Sequence, residues 1–173
     1  APVANDINLD LNLHVGALQL HTMEGAMASA ITNASGAVNG DVKISGTASK
    51  PDINGSLGFD HASFALTTLG SQFRVDNEKI TVTNDGLTFD NFTIRDSSDN
   101  TMNIDGNILT SNFINYNFNL TVRARNFMVL NSTKKQNPLY YGKLNISADA
   151  HIAGTEIKPV VDGTLTVNDG TNL

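Results

Sequence analysis

From Ile7 to Val15 every second residue is apolar: Ile7, Leu9, Leu11, Leu13 and Val15 alternate with Asn8, Asp10, Asn12 and His14. Side chains of a strand point to its two faces in turn, so a period of two predicts a half-buried strand with one apolar and one polar face. The same alternation returns at Val38, Val42 and Ile44, at Ile53, Leu57 and Phe59, and at Phe64 and Leu66. Shorter stretches follow at Ile80 and Val82, Leu87 and Phe89, and Met102, Ile104 and Ile108. The longest late strand runs through Tyr116, Phe118, Leu120, Val122 and Ala124. Two more carry Leu144, Ile146, Ala148, Ala150 and Ile152, then Val161, Leu165 and Val167.

Turn dipeptides punctuate these runs at Asn39-Gly40, Asn54-Gly55, Asp85-Gly86, Asp105-Gly106 and Asp169-Gly170, some of them candidates for bulges inside strands. Many short strands at near-regular spacing predict an all-β chain folded as a meander, a sandwich or a curled sheet. One stretch departs from the pattern. Met23, Ala26, Met27, Ala30 and Ile31 follow helical spacing after Thr22, a candidate N-cap, which predicts one short helix over 22–33 despite Gly25.

Sliding the chain against itself uncovers a repeat. Gly46-Thr47-x-x-Lys50-Pro51-x-Ile53-x-Gly55-x-Leu57-x-Phe59 is matched without a gap by Gly154-Thr155-x-x-Lys158-Pro159-x-Val161-x-Gly163-x-Leu165-x-Val167. Upstream, Asp41 and Ile44 correspond to Asp149 and Ile152, so segment 41–59 is related to 149–167 at a constant offset of 108 residues. A proline that cannot donate to a ladder marks the start of a strand, and a glycine within the strand thins one face. The period is too long for the common 20–50-residue solenoids and suits a module of several strands. The 173 residues are read as a single all-β domain.

Composition narrows the function classes. Apolar residues make up 40% and Gly adds 14 residues, a globular rather than disordered balance. A net charge of −6, with basic residues scattered apart from Lys134-Lys135, argues against a nucleic-acid partner, which would need clustered cations to displace phosphate counterions. The absence of cysteine removes thiol catalysis, thiolate metal sites and disulfides. His14, His21, His61 and His151 lack zinc spacing and read as solvent-facing, and Asp96-x-x-Asp99 reads as a turn rather than a calcium loop. No nucleophile elbow, Walker loop or dinucleotide fingerprint occurs. Hence no catalytic residue, metal or cofactor is expected, and the chain is read as non-enzymatic. Ala1, with no initiator Met before it, suggests a fragment of a longer protein.

Five stretches together resemble the TamB C-terminal domain of the AsmA-like group (translocation and assembly module), in its Bacteroidetes-type versions. These are the Gly-x-Val-x-Ile-x-Gly pattern of Gly40 to Gly46, Lys50-Pro51-x-Ile53-x-Gly55, and Asp90-Asn91-Phe92-Thr93-Ile94-x-Asp96. The others are Asn137-Pro138-Leu139-Tyr140-Tyr141-Gly142 and Asp162-Gly163-x-Leu165-x-Val167-x-x-Gly170-Thr171. The resemblance implies a long, mainly antiparallel curled sheet forming a taco-like groove with an apolar inner face. It further implies a periplasmic location in a Gram-negative bacterium, with the full-length protein anchored in the inner membrane. The implied role is transport of phospholipid toward the outer membrane, and the implied partners are phospholipid acyl chains and an outer-membrane barrel of the Omp85 type, TamA-like or BamA-like.

A lipid conduit needs a continuous sheltered apolar surface, because each exposed acyl CH₂ costs about 0.8 kcal/mol. With that role, the groove would be lined by Leu9, Leu11, Leu13, Val42, Ile44, Ile53, Leu57, Phe59, Phe64, Leu66, Ile80, Val82, Leu87 and Phe89. Its second half would be Ile104, Ile108, Phe118, Leu120, Val122, Leu144, Ile146, Ile152, Val161, Leu165 and Val167. Alternation alone equally allows these residues to pack against one another across a closed sandwich. The competing function is a structural or adhesive β-sandwich at the cell surface that binds carbohydrate or protein through loops such as 96–100 and 134–138. A chain with no Trp and three Tyr is poorly equipped to stack on sugars. A β-helical polysaccharide enzyme would need shorter repeats.

Overall fold

The computed structural model describes residues 6–25, 30–110 and 115–173. These described residues form ten strands: β1 (Asn8–Gln19), β2 (Ile31–Thr47), β3 (Lys50–Leu66), β4 (Ser71–Val75), β5 (Lys79–Thr83), β6 (Gly86–Asp96), β7 (Thr101–Thr110), β8 (Tyr116–Ser132), β9 (Gly142–Thr155) and β10 (Pro159–Val167). All belong to one antiparallel sheet in the order β1-β2-β3-β4-β6-β7-β8-β9-β10, with β5 filling the other end of the gap between β3 and β6. Among the described residues there is therefore one layer, not the two facing sheets of a sandwich. No helix among them is long and apolar enough to cross a membrane.

The helix predicted over 22–33 is not found among the described residues. A single 3-10 turn covers Leu20–Met23, and Ile31 to Asn33 already belong to β2, where Ile31 pairs with Leu66. Residues 26–29 lie outside the described residues. Met23 packs beside the buried Leu20 and Ile31, so the apolar spacing records the entry of a turn and a strand into one cluster. Asn33 and Gly36 take positive φ angles of 53° and 80° as irregular points of β2. Of the turn dipeptides, Asp85-Gly86 and Asp169-Gly170 sit at turns, whereas Asn39-Gly40, Asn54-Gly55 and Asp105-Gly106 lie within paired strands.

The two related segments form hairpins of one register. Gly46 faces Pro51 and Val42 faces Gly55 across β2 and β3; Gly154 faces Pro159 and Ala150 faces Gly163 across β9 and β10. Each turn is closed alike: the Lys50 N–H donates to the Thr47 hydroxyl at 3.2 Å, and the Lys158 N–H to the Thr155 hydroxyl at 3.3 Å. Each inner glycine also permits the same close approach. A Cβ on Gly55 would lie 2.3 Å from the Asp41 carbonyl oxygen, and one on Gly163 2.3 Å from that of Asp149. Since backbone cannot step aside as a side-chain tip can, Gly163→Ala is expected to destabilise by about 1–3 kcal/mol. A thermal melt should show a fall of roughly 2–4 °C per kcal/mol, and an unchanged melt would contradict the close approach.

The sheet is strongly curled. β4 and β8 are three strand spacings apart, about 14 Å if the sheet were flat. Yet the rings of Phe73 and Phe127 stack at 5.4 Å with an interplanar angle of 3°. Phe59 of β3 likewise meets Phe92 of β6 edge to face at 5.6 Å. Two core clusters result: one around Leu20, Ile31, Ala62, Val75 and Phe92, the other around Phe73, Ala124, Phe127, Ile146 and Ala148. The β3–β4 turn closes over this end, with the Asn131 N–H donating to the Leu69 carbonyl at 3.0 Å and the Asn137 side-chain amide to the Thr68 carbonyl at 3.1 Å.

Candidate apolar trough

Residues directly opposite in a ladder point to the same face, so the register assigns every inner position. One row runs Val15–Gly40–Leu57–Ile80–Phe89–Gly106–Leu120–Ile152–Val161, crossing nine strands without a polar side chain. A parallel row runs Leu13–Val42–Gly55–Val82–Leu87–Ile108–Phe118–Gly154–Pro159. Between them, on the outer face, lie His14, Asp41, Ser56, Thr81, Thr88, Asn107 and Asn119. Leu9, Leu11, Ile44 and Ile53 extend the inner face toward the β2–β3 turn, and Ile104 and Val122, Ile146 and Val167, and Leu144 extend it the other way.

Keeping one face apolar along strands of up to seventeen residues requires phase corrections, supplied by bulges. In β3 the inward residues are Leu57 and Phe59, then, after His61 at φ 46°, Ala62, Phe64 and Leu66. In β6, Leu87 and Phe89 give way after Asn91 (φ 47°) to Phe92 and Ile94; in β8, Ala124 gives way after Asn126 (φ 48°) to Phe127. Asn tolerates this left-handed conformation better than most residues.

The trough is filled around Phe73, Phe92 and Phe127 and open along the edge strands β1 and β10. Of the sequence-predicted lining residues only Ile146 is buried, while Leu11, Leu13, Val161, Leu165 and Val167 are exposed, Val161 at 66% and Leu165 at 64%. Leu9, Val42, Ile44, Ile53, Leu57, Phe59, Phe64, Leu66, Ile80, Val82, Leu87, Phe89, Ile104, Ile108, Phe118, Leu120, Val122, Leu144 and Ile152 are half-buried. The sequence reading missed Phe73, Phe92, Ile94, Phe127 and Val129, which line or plug the closed end. A bulge just before them puts Phe92 and Phe127 out of phase with the preceding alternation, and Phe73 sits in a strand of five residues, too short for a period to show.

Polar groups serve the frame. Asp96, 1% exposed, accepts hydrogen bonds from the N–H groups of Ser98, Asn100 and Met128 and from the Asn100 side-chain amide. Asn137 accepts from the N–H groups of Leu139 and Tyr140, both at 3.0 Å, and Thr171 accepts from Asn145 N–H at 3.2 Å. All four histidines are exposed. Asp60 beside His61 raises its pKa, through a hydrogen bond first and charge attraction second. The Ser49 and Thr47 hydroxyls hold the Asp6 carboxyl below its ordinary value. Among the described residues no three His, Asp or Glu side chains converge as a metal site requires.

No curated protein and no solved structure matches the chain. Residues 90–173 match the family model described as the TamB C-terminal domain. That span holds most of β6 and all of β7 to β10, with three of the five resemblance motifs; the Gly40 to Gly55 motifs lie before it. Over residues 90–173, then, the chain is similar to the TamB C-terminal domain family.

Proposed function

We propose that this chain is a non-enzymatic segment of a TamB-like bridge between inner and outer membranes, and that its apolar inner face carries phospholipid acyl chains for outer-membrane biogenesis. The family of residues 90–173 supports a role in the cell envelope, in membrane protein or lipid assembly. The observation that carries the finer reading is the unbroken apolar row across nine strands, half-buried or exposed for most of its length. A face built only to hold a core would be covered; this one is concave and accessible from Leu11 to Val167. On this reading the full-length protein works in the periplasm, anchored in the inner membrane and meeting an Omp85-type barrel.

Photocrosslinking side chains at Leu57 and Leu120 should label co-purified phospholipid, and the same probes one residue away at Ser56 and Asn119, on the outer face, should not. Equal labelling on both faces, or none at the inner positions, overturns the proposal.

A further inference from the structure

At its closed end the trough turns sideways. A cavity of about 210 Å³ lies among Phe64, Phe73, Ile94, Met102 and Phe127. A second, of about 370 Å³, lies among Leu130, Leu139, Tyr140, Tyr141, Leu144 and Leu173. Leu69 and Val129 wall both, so the two are continuous in lining, and the larger falls in the ~300–1,000 Å³ range of small-molecule sites. The outer one opens beside a built loop: Asn137 ties it to the β3–β4 turn, and the Ser132 hydroxyl donates to the Tyr140 carbonyl at 2.9 Å. Leu139, 80% exposed, stands at the rim.

One cation, Lys134, stands at the rim, within a stretch of sequence that carries no acidic residue; Arg123 of that stretch is taken up by Asp105 and Asp149. In a protein of net charge −6, no Asp or Glu occurs from Gly106 to Ala148, while Arg123, Arg125, Lys134, Lys135 and Lys143 do. The Lys134 ammonium sits 5.8 Å from the centre of the Tyr141 ring, and no ion pair among the described residues takes Lys134 or Lys135. Apolar depth beneath a cationic, tyrosine-bearing rim is the arrangement that suits an acyl chain ending in an anion.

We propose that this double cavity takes one acyl chain of an anionic amphiphile, its tail passing Val129 toward Phe73 and Met102 and its head beside Lys134 and Lys135. The inference rests on the inner face being lipid-facing and adds a side mouth and a preference for negative charge.

The test is calorimetric titration of the 173-residue chain with palmitoyl lysophosphatidylglycerol, lysophosphatidylcholine and palmitate, below their micelle concentrations at low salt. Lysophosphatidylglycerol is expected to bind about ten-fold more tightly than lysophosphatidylcholine. Lys134→Gln with Lys135→Gln should reduce that preference below about three-fold, and Val129→Trp should weaken both lipids. Palmitate binding as well supports a site for any anionic head, and lysophosphatidylglycerol alone a phosphodiester site. Equal affinity for the two lysolipids, a preference that survives in the lysine variant, indifference to Val129→Trp, or no binding at all overturns the inference. Labelling at Leu57 and Leu120 reports separately: retained labelling without the charge preference removes the side mouth and leaves the trough, and the converse removes the trough.

Discussion

Phe127→Ala is expected to lower the free energy of unfolding by about 3–5 kcal/mol. The ring is 1% exposed, stacks at 5.4 Å on Phe73 and packs with Ala124, Ile146 and Ala148. It joins strands that the ladder does not join, so its removal leaves a hole and also releases the curl that brings β8 over β4. Strand hydrogen bonds cannot compensate, since β4 pairs only with β3 and, at two positions, with β6. Urea denaturation followed by circular dichroism measures the change. The contrast is Leu165→Ala on the same inner face but on the edge strand β10, opposite Ala148. With that side chain already 64% exposed, the loss should stay under about 1 kcal/mol. Losses of equal size would mean that stability is spread evenly along the trough, against the separation of a packed end that holds the fold from an open face free to bind.

That separation shows why the sequence was legible in part. Alternation from Ile7 to Val15 and from Tyr116 to Ala124 is strict, because those stretches of β1 and β8 run without a bulge, and the pattern names the inner face directly. The repeat was equally plain, since Gly46, Pro51 and Gly55 and their counterparts answer backbone constraints that few other residues meet. Bulges hid the remainder. A positive-φ His61 or Asn91 adds a residue and reverses the phase, so Phe59 and Phe64 read as two strands although β3 is continuous. The curl lay outside what a period of two can express, for it is set by contacts between strands far apart in sequence, such as β4 with β8. Charge reversal between Gly106 and Ala148 was present in the sequence, but only the placement of Lys134 over Tyr141 ties it to a cavity.

Asp96→Ala should lower stability by about 3 kcal/mol, the second large effect, although the residue touches no part of the apolar surface. Its carboxylate reaches two strands at once. One oxygen accepts from Ser98 N–H at 2.8 Å and Asn100 N–H at 3.0 Å, fixing the β6–β7 turn. The other accepts from the Asn100 amide at 3.0 Å and from Met128 N–H at 2.8 Å, across the top of β7. Met128 follows Phe127 directly, so the carboxylate holds the β8 bulge in the position that presents the ring to Phe73. Removing it deprives four donors of their acceptor in a part-buried site. Asp96→Asn tests the charge apart from the shape: its amide nitrogen must face donors with one of its two ends, so most of the loss should persist. The two lesions share this element, and Phe127→Ala combined with Asp96→Ala should therefore cost less than the two single losses together. Strict additivity in that double-mutant cycle would show that the carboxylate braces the turn alone and does not position the ring.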